Sequence, residues 1–425
     1  MKSKIFSNTT SKALLKLLPL LLLYVIYVLL FAKEELHADE ARYHMFAENL
    51  VNGFYTTSDN PNLMNGPGYP LFLAAFFSLG LPFIVPKLAN AFMAFFSVFL
   101  LNRSLAHYVP EKTALVSAYV LGLYYPMFKW MKLMFSDILS LFLLCLFMYL
   151  VLKLLRSKEI SLKKMIFPAL LLAYLIWIKV FFALVVLTGI ITAIIYWFIV
   201  RKKVVLKWGL LLLLSYLLAT PWLVYTYQMT GRVLYWSSNG GEQLYWMSSH
   251  LDKEYGNWIE STSVLNRDFP EMDERHLMLY DSAYTMPWVE RNDHFFHLAK
   301  ENIKNDPAGY AYNVISNAIR MIADGPNSYY NQSLRPYFFL FFDLILLVPL
   351  LLTIFPAWKN RKDLPFEVIG VCFLILIYWG GSIFIASIQR YFIIIVPFIL
   401  LWITFIFHHF VQVSFENRWS KPNLK

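Results

Sequence analysis

Two acidic residues and an arginine lie close together in the segment His37-Ala38-Asp39-Glu40-Ala41-Arg42-Tyr43. The segment follows a long apolar run by a few residues, so it lies at a membrane surface if that run crosses a bilayer. There, partial burial raises the pKa of a carboxylate while a nearby cation keeps it charged, and such a group can act as a general base. The same residues also suit a solvated turn in which Asp39 caps a helix over residues 40–52.

Three more polar sites interrupt apolar stretches of the chain. Ser136 and Asp137 begin one apolar run, and Lys179 lies inside another. Arg390 and Tyr391 lie between two runs, and the planar N–H fork of an arginine fits a phosphate. Each site has a structural alternative. Ser136 or Asp137 suits a helix cap, Lys179 can extend to the membrane interface, and an Arg-Tyr pair can serve as an interfacial anchor.

The composition shows that membrane helices must position these residues. Of the 425 residues, 59% are hydrophobic and only 15% are charged, against about a quarter charged in soluble domains. This excludes a soluble enzyme, a disordered chain, a collagen-like fibre and a small disulfide scaffold. The net charge of +10 is explained by basic loops on the cytoplasmic side rather than by nucleic-acid binding.

Clusters of basic residues predict the topology. They lie before the first apolar run, which contains no evident signal-peptide cleavage site, and at residues 103–112, 153–164, 201–207, 359–362 and 418–425. Cytoplasmic clusters must be separated by an even number of spans, so the apolar stretch 70–85 is expected to be a surface helix. The chain is then an all-α polytopic protein with cytoplasmic termini and about ten spans. The predicted spans are residues 13–32, 88–106, 113–130, 134–155, 165–180, 181–200, 208–226, 336–356, 366–387 and 391–412.

This topology divides the chain into three parts. Residues 1–226 form an N-terminal membrane module with an outward-facing first loop at 33–87. Residues 227–335 form a small α-rich outer domain, and residues 336–425 supply the C-terminal membrane helices.

On this topology Asp39, Asp137, Lys179 and Arg390 all face outward. Two carboxylates and two cations on one face suit a phosphorylated, lipid-linked substrate and an acceptor that must lose a proton. A pump or channel would place charges through its spans, and Asp343 is the clearest acid inside one.

Short motifs in this sequence resemble those of glycosyltransferase family 39 in the GT-C superfamily. That family includes the protein O-mannosyltransferases and the aminoarabinose transferase of lipid A. The matching segments occur in family order: Asp39-Glu40-Ala41-Arg42-Tyr43, Gly66-Pro67-Gly68-Tyr69-Pro70-Leu71, Phe135-Ser136-Asp137, Thr220-Pro221-Trp222, residues 238–245, residues 305–310 and Arg390-Tyr391. Lys179 lies where many members of the family have an arginine. The sequence has Met64-Asn65-Gly66 where the aminoarabinose transferase has a Glu-Lys pair. The resemblance therefore does not decide whether aminoarabinose is the sugar or whether a metal, which that Glu would hold, is bound. The protein mannosyltransferases also carry a larger outer domain than residues 227–335.

The resemblance implies an inverting transfer of a hexose or pentose from a polyprenyl phosphate to an acceptor hydroxyl. It places the enzyme in the plasma (inner) membrane with its site facing outward. The acceptor is a glycolipid, a cell-wall glycan or a protein. The alternatives are an outer-leaflet glycan ligase or polymerase, and a non-catalytic lipid or glycan transporter.

The resemblance also implies roles for particular residues. Asp39 is the base, Glu40 and Asp137 are further catalytic residues, and the donor phosphate is bound by Arg390, Lys179 and Arg42. The substrate-binding residues are Tyr43, Tyr69, Asn239 and Tyr391. No cofactor is required, and a divalent metal is compatible but not indicated, because the pair His294 and His297 lacks a third ligand with motif spacing.

Overall fold

The computed structural model describes residues 8–157, 161–330 and 333–412, and within these ranges the chain forms helices and no β-strand. Seven helices are long and apolar enough to cross a membrane. They are Thr10–Phe31, Ile84–Leu105, Ser136–Arg156, Phe182–Val200, Lys203–Thr230, Pro336–Lys359 and Phe366–Ile383. The predicted all-α, multi-pass architecture is confirmed.

The other three predicted spans are shorter helices. The stretch 113–130 is broken into Glu111–Gly122 and Tyr125–Met131, because Pro126 is accommodated only in the first turn of a helix. The stretch 165–180 is the helix Leu162–Ile178, and the stretch 391–412 is reduced to Val396–Phe410, which has Pro397 in its first turn. The basic cluster 418–425 lies outside the described residues, as do Lys2 and Lys4.

The first membrane helices form the framework of the site. We label Asn8–Phe31 α1, Asp39–Val51 α2, Gly68–Phe77 α3, Ile84–Leu105 α4, Tyr125–Met131 α5, Ser136–Arg156 α6 and Leu162–Ile178 α7. Helix α4 packs between α1 and α6, and α2 packs on α3. Helix α3 has ten residues, so it is too short to span a bilayer.

The predicted hairpin within residues 165–200 is present. Helix α7 ends at Ile178 and the next helix, α8, covers Phe182–Val200. Lys179 is therefore in the connection between them. The loop before α3 packs against this connection, and Tyr174 donates a hydrogen bond to the Gly68 carbonyl at 2.8 Å.

Residues 227–335 contain five helices: Gly240–Ser248, Ser261–Leu265, Glu274–Ala283, Trp288–Asn305 and Pro307–Ala323. They enclose a hydrophobic cluster of their own that includes Trp246, Tyr280 and Phe295. Trp246 is only 2% exposed, so this tryptophan packs within the core of these helices.

Gly66 lies where no side chain fits. An added Cβ would overlap the Trp177 carbonyl oxygen and would lie 2.8 Å from Val180 Cγ1. Because backbone atoms must move to accept it, Gly66→Ala should lower the free energy of unfolding by about 1–3 kcal/mol. A reduced midpoint of thermal unfolding in detergent would be the readout. At Gly380 an added Cβ meets nothing within 4 Å, so Gly380→Ala is the matched control. Equal midpoints for the two variants would contradict this packing.

Candidate functional site

Five charged side chains from four segments of the chain form a continuous series of ion pairs. Asp39 Oδ1 accepts a hydrogen bond from Arg42 Nη2, and Asp39 Oδ2 accepts one from Arg390 Nη2, both at 2.5 Å. Arg390 Nε lies 3.7 Å from Asp137 Oδ2, and Asp137 Oδ1 accepts a hydrogen bond from Lys179 Nζ at 2.8 Å. Cations and carboxylates alternate along the series, which carries one net positive charge. We call these five residues the ion-pair cluster.

Local structure sets the position of each member of the cluster. Asp39 begins α2, and Arg42 follows three residues later on the same face of that helix. Asp137 lies in the first turn of α6, and Lys179 follows the last residue of α7. Arg390 lies in a short 3-10 helix, Gln389–Tyr391. The topological prediction that placed these residues on one face therefore agrees with their contacts.

The backbone before Asp39 is strained. Ala38 has φ +49°, a region that residues with a side chain rarely adopt and that costs about 1–3 kcal/mol. The turn brings the chain from α1 into α2 with Asp39 as the first helical residue. The sequence alone gave no sign of this strain.

The cluster is largely buried. The side chain of Asp137 is 1% exposed and that of Asp39 is 11% exposed. Burial by itself raises the pKa of Asp39, but the charges of Arg390 and then Arg42 outweigh it and lower that pKa to about 2. Burial therefore acts in the expected direction, and the nearby cations keep the carboxylate charged as expected, but together the two arginines outweigh burial.

Two polar atoms within the cluster have no hydrogen bond to any described residue. They are Arg390 Nε and Asp137 Oδ2. The Arg390 guanidinium also lies 4.7 Å from the centre of the Phe135 ring and 5.9 Å from that of Trp130. The aromatic rings and Asp39 orient the arginine, and its buried Nε faces Asp137 without a hydrogen bond.

The predicted substrate-binding residues differ in their relation to the cluster. Tyr391 presents its ring to Lys179 Nζ at 4.9 Å. Tyr43 shares a hydrogen bond of 3.4 Å with Ser136, and its buried ring packs edge-on against Tyr69 at 4.8 Å. Asn239 precedes the helix Gly240–Ser248. Within the described ranges no hydrogen bond joins it to the cluster, and its buried Oδ1 atom has no partner.

Glu40 points away from its neighbour Asp39. It is fully buried, its Oε1 lies 2.8 Å from the Met134 N–H donor and 3.1 Å from Lys87 Nζ, and its Oε2 accepts the His37 N–H at 3.1 Å. These contacts tie the start of α2 to α4 and to the loop before α6. They fit a positioning role for Glu40 and give no support to its assignment as a catalytic residue.

Sequence reasoning missed several residues that shape the site. They are Asn65, Lys87, Trp130, Phe135 as a ring beside Arg390, and Gln389. Asn65 accepts a hydrogen bond from Arg42 Nε at 2.7 Å, and Gln389 accepts one from Trp130 Nε1 at 3.3 Å. Lys87 gave one signal, a charge within an apolar run.

Across the parts of the chain that the structure describes, no group of three or more His, Cys, Asp or Glu residues is arranged to hold a metal ion. His297, one member of the pair noted in the sequence, lies 3.8 Å from Glu301.

Comparison with known proteins gives a weak similarity. No protein-family model and no curated protein matches the sequence. Two solved structures are similar, those of ArnT from Cupriavidus metallidurans in the apo state and bound to undecaprenyl phosphate. Each is 13% identical and covers 92% of this chain. The TM-score is 0.42 over 78% of the apo chain and 0.41 over 77% of the bound chain.

The pair of Glu40 and Lys87 supports a double-mutant experiment. Lys87→Met leaves the carboxylate of Glu40 buried without its cation, which should reduce the free energy of unfolding by about 3–5 kcal/mol. Adding Glu40→Gln removes that unpaired charge and should restore much of the loss. Thermal unfolding of both variants measures the difference, with Lys359→Met as an exposed control. A double variant no more stable than Lys87→Met would show that the two side chains do not depend on each other.

Proposed function

We propose that this protein is an integral-membrane inverting glycosyltransferase. It transfers a sugar from a polyprenyl phosphate to an acceptor hydroxyl. The main support is the direct pairing of Asp39, a potential base, with Arg390, whose Nε atom makes no hydrogen bond to a described residue. A base and a phosphate-binding group are thus adjacent, among the ends of membrane helices where a lipid-linked donor can reach them.

The members of the ion-pair cluster have different roles in this proposal. Arg390 binds the donor phosphate, with Lys179 and Arg42 as further cations. Asp137 holds Lys179 at 2.8 Å and lies near Arg390, so it orients the cations. Tyr391, beside Lys179, contacts substrate, and Tyr43 supports Asp137 through Ser136.

The low pKa of Asp39 implies that donor binding activates the base. A carboxylate with a pKa of about 2 is a poor proton acceptor at neutral pH. When the donor phosphate binds Arg390, Asp39 loses its strongest cationic partner, and the pKa of Asp39 rises toward the ordinary range. The acceptor thus loses its proton efficiently only while the donor is present.

The chemical step then follows. The acceptor oxygen attacks the anomeric carbon from the side opposite the phosphate, so the carbon is inverted. The bond from that carbon to the phosphate oxygen breaks, and its electron pair leaves with the polyprenyl phosphate. The acceptor proton passes to Asp39. The leaving phosphate gains negative charge, which Arg390 stabilises.

We place the enzyme in the plasma (inner) membrane with this site facing outward, because the basic clusters predict cytoplasmic loops at the opposite ends of the spans. The acceptor class remains a glycolipid, a cell-wall glycan or a protein. A metal is not part of the proposal.

The first experiment follows polyprenyl phosphate release by the purified full-length protein. The donors are a panel of radiolabelled polyprenyl-phosphate hexoses and pentoses, with envelope extract as the source of acceptors. Release with addition of a single sugar supports the proposal. A ladder of products assigns a polymerase instead. Absence of release with every donor contradicts the proposal and favours a transporter.

Asp39→Asn separates catalysis from binding. It removes the proton acceptor, so transfer should fall by about 10²- to 10⁴-fold. It also removes the carboxylate that competes for Arg390, so polyprenyl phosphate should bind at least as tightly as to the wild type. Transfer assays and equilibrium binding measure the two effects, and Asp281→Asn, at an exposed ion pair, is the control. Wild-type transfer by Asp39→Asn, or loss of both binding and transfer, would contradict the base assignment.

Arg390→Lys tests the phosphate site. The lysine keeps the positive charge but loses the planar fork, so polyprenyl phosphate affinity should fall about 10- to 100-fold, the range for charged hydrogen bonds. Arg390→Gln should weaken binding further. Equilibrium binding measures both, and Arg361→Lys, at an exposed arginine, is the control. Unchanged affinity in Arg390→Gln would remove this residue from the phosphate site.

A further inference from the structure

A second cation-lined pocket lies beside the ion-pair cluster. Its volume is about 160 Å³, and its lining residues are Phe31, Lys33, Glu35, His37, Lys87, Lys132 and Leu133. No member of the cluster lines it. It is formed by the end of α1, the loop before α2, the start of α4 and the residues that follow α5.

The charges of this pocket leave a positive excess. Lys87 is 1% exposed and is paired with Glu40 at 3.1 Å, so its charge is balanced. Lys87 also donates to the Lys33 carbonyl at 2.6 Å, which accounts for two of the three N–H donors of its ammonium group. Among the residues that line the pocket, Lys33 and Lys132 are then offset by one exposed acid, Glu35, while the exposed Glu34 beside Lys33 does not line it. Neither lysine forms an ion pair with a described residue. The remaining charge of about one unit suits a monoanion.

The position of the pocket points to a lipid. Helix α1 ends at Phe31, and the last residues of this apolar helix, Leu29, Leu30 and Phe31, are all more than half exposed. Lys33 follows two residues later. The pocket therefore lies where an apolar helix surface meets a group of cations. A membrane protein has such a surface at the depth of the lipid phosphates.

We propose that this pocket binds the phosphate group of a monoanionic membrane lipid, whose acyl chains lie along the exposed end of α1. The lipid is distinct from the sugar donor, because the pocket and the ion-pair cluster share no residue. The pocket adjoins the candidate site, since Lys87 contacts both Lys33 and Glu40, the neighbour of Asp39.

Lipid retention by the full-length protein tests this inference without any sugar donor, so its outcome is independent of the proposed transfer reaction. The protein is purified in detergent, titrated with phosphatidylglycerol or phosphatidylcholine, and examined by native mass spectrometry. The wild type should retain one phosphatidylglycerol in preference to phosphatidylcholine. Each lysine near anionic lipid contributes roughly a fivefold factor to binding, so Lys33→Gln/Lys132→Gln should weaken retention by at least about tenfold.

Two further variants make the result specific. Lys359→Gln/Lys362→Gln removes the same charge from another basic segment and should retain the lipid as the wild type does. Lys33→Arg/Lys132→Arg keeps both charges and should retain most of the affinity. Equal retention by wild type and Lys33→Gln/Lys132→Gln would overturn the proposal. Displacement of the lipid by millimolar inorganic phosphate would also overturn it, because the pocket would then bind the free anion.

Discussion

The ion pair between Asp39 and Arg390 joins two segments 351 residues apart in sequence, and the geometry of the site depends on it. One partner begins α2, near the N-terminal membrane helix. The other precedes the final helix, Val396–Phe410. The apolar residues 392–396 that follow Arg390 are buried in the main hydrophobic core, as are Tyr43 and Ala47 of α2. Packing therefore brings the two segments together, and the ion pair fixes the orientation of the charged side chains between them. Burial strengthens that attraction and also makes either group costly to leave unpaired.

This constraint explains why the cluster alternates in sign. A binding site for a phosphate must contain several cations, yet three buried cations without anions would repel one another. Asp39 and Asp137 separate Arg42, Arg390 and Lys179, so each neighbouring pair attracts. The excess is one positive charge, enough to favour an anionic ligand. A phosphate that binds Arg390 replaces one anion by another, so the arginine need not pass through an unpaired state.

The sequence predicted the parts of this site better than their arrangement. Asp39, Asp137, Lys179 and Arg390 could each be recognised because a polar residue beside an apolar run is costly without a purpose. Their pairing could not, because it depends on how α2, α6 and the turn after α7 pack. The pKa of Asp39 shows the same limit: the sequence indicated burial and a nearby cation, but not that contact with two arginines outweighs burial and lowers the pKa.

The helices show the same limit. Of the ten spans predicted from the sequence, seven coincide with helices of the described residues that are long and apolar enough to cross a membrane. The prediction overlooked Pro126, beside which the predicted span 113–130 is divided at residues 123–124. That break has consequences for the site. The short helix α5 carries Trp130, whose ring lies beside Arg390 and whose N–H donates to Gln389. An unbroken helix over residues 113–130 would not change direction at residues 123–124. The break therefore precedes the short helix that places Trp130 beside Arg390.

Asp39 and Glu40 show how two adjacent acids acquire different roles. Successive residues of an α-helix point about 100° apart, so at the start of α2 one carboxylate faces the arginines and the other faces Lys87 and the Met134 N–H. Glu40 has its oxygens bound on several sides and anchors the helix, which allows Asp39 to change partners without loosening the backbone beneath it. The strained residue Ala38 directly precedes these two acids, so the chain enters α2 with both of them in its first turn.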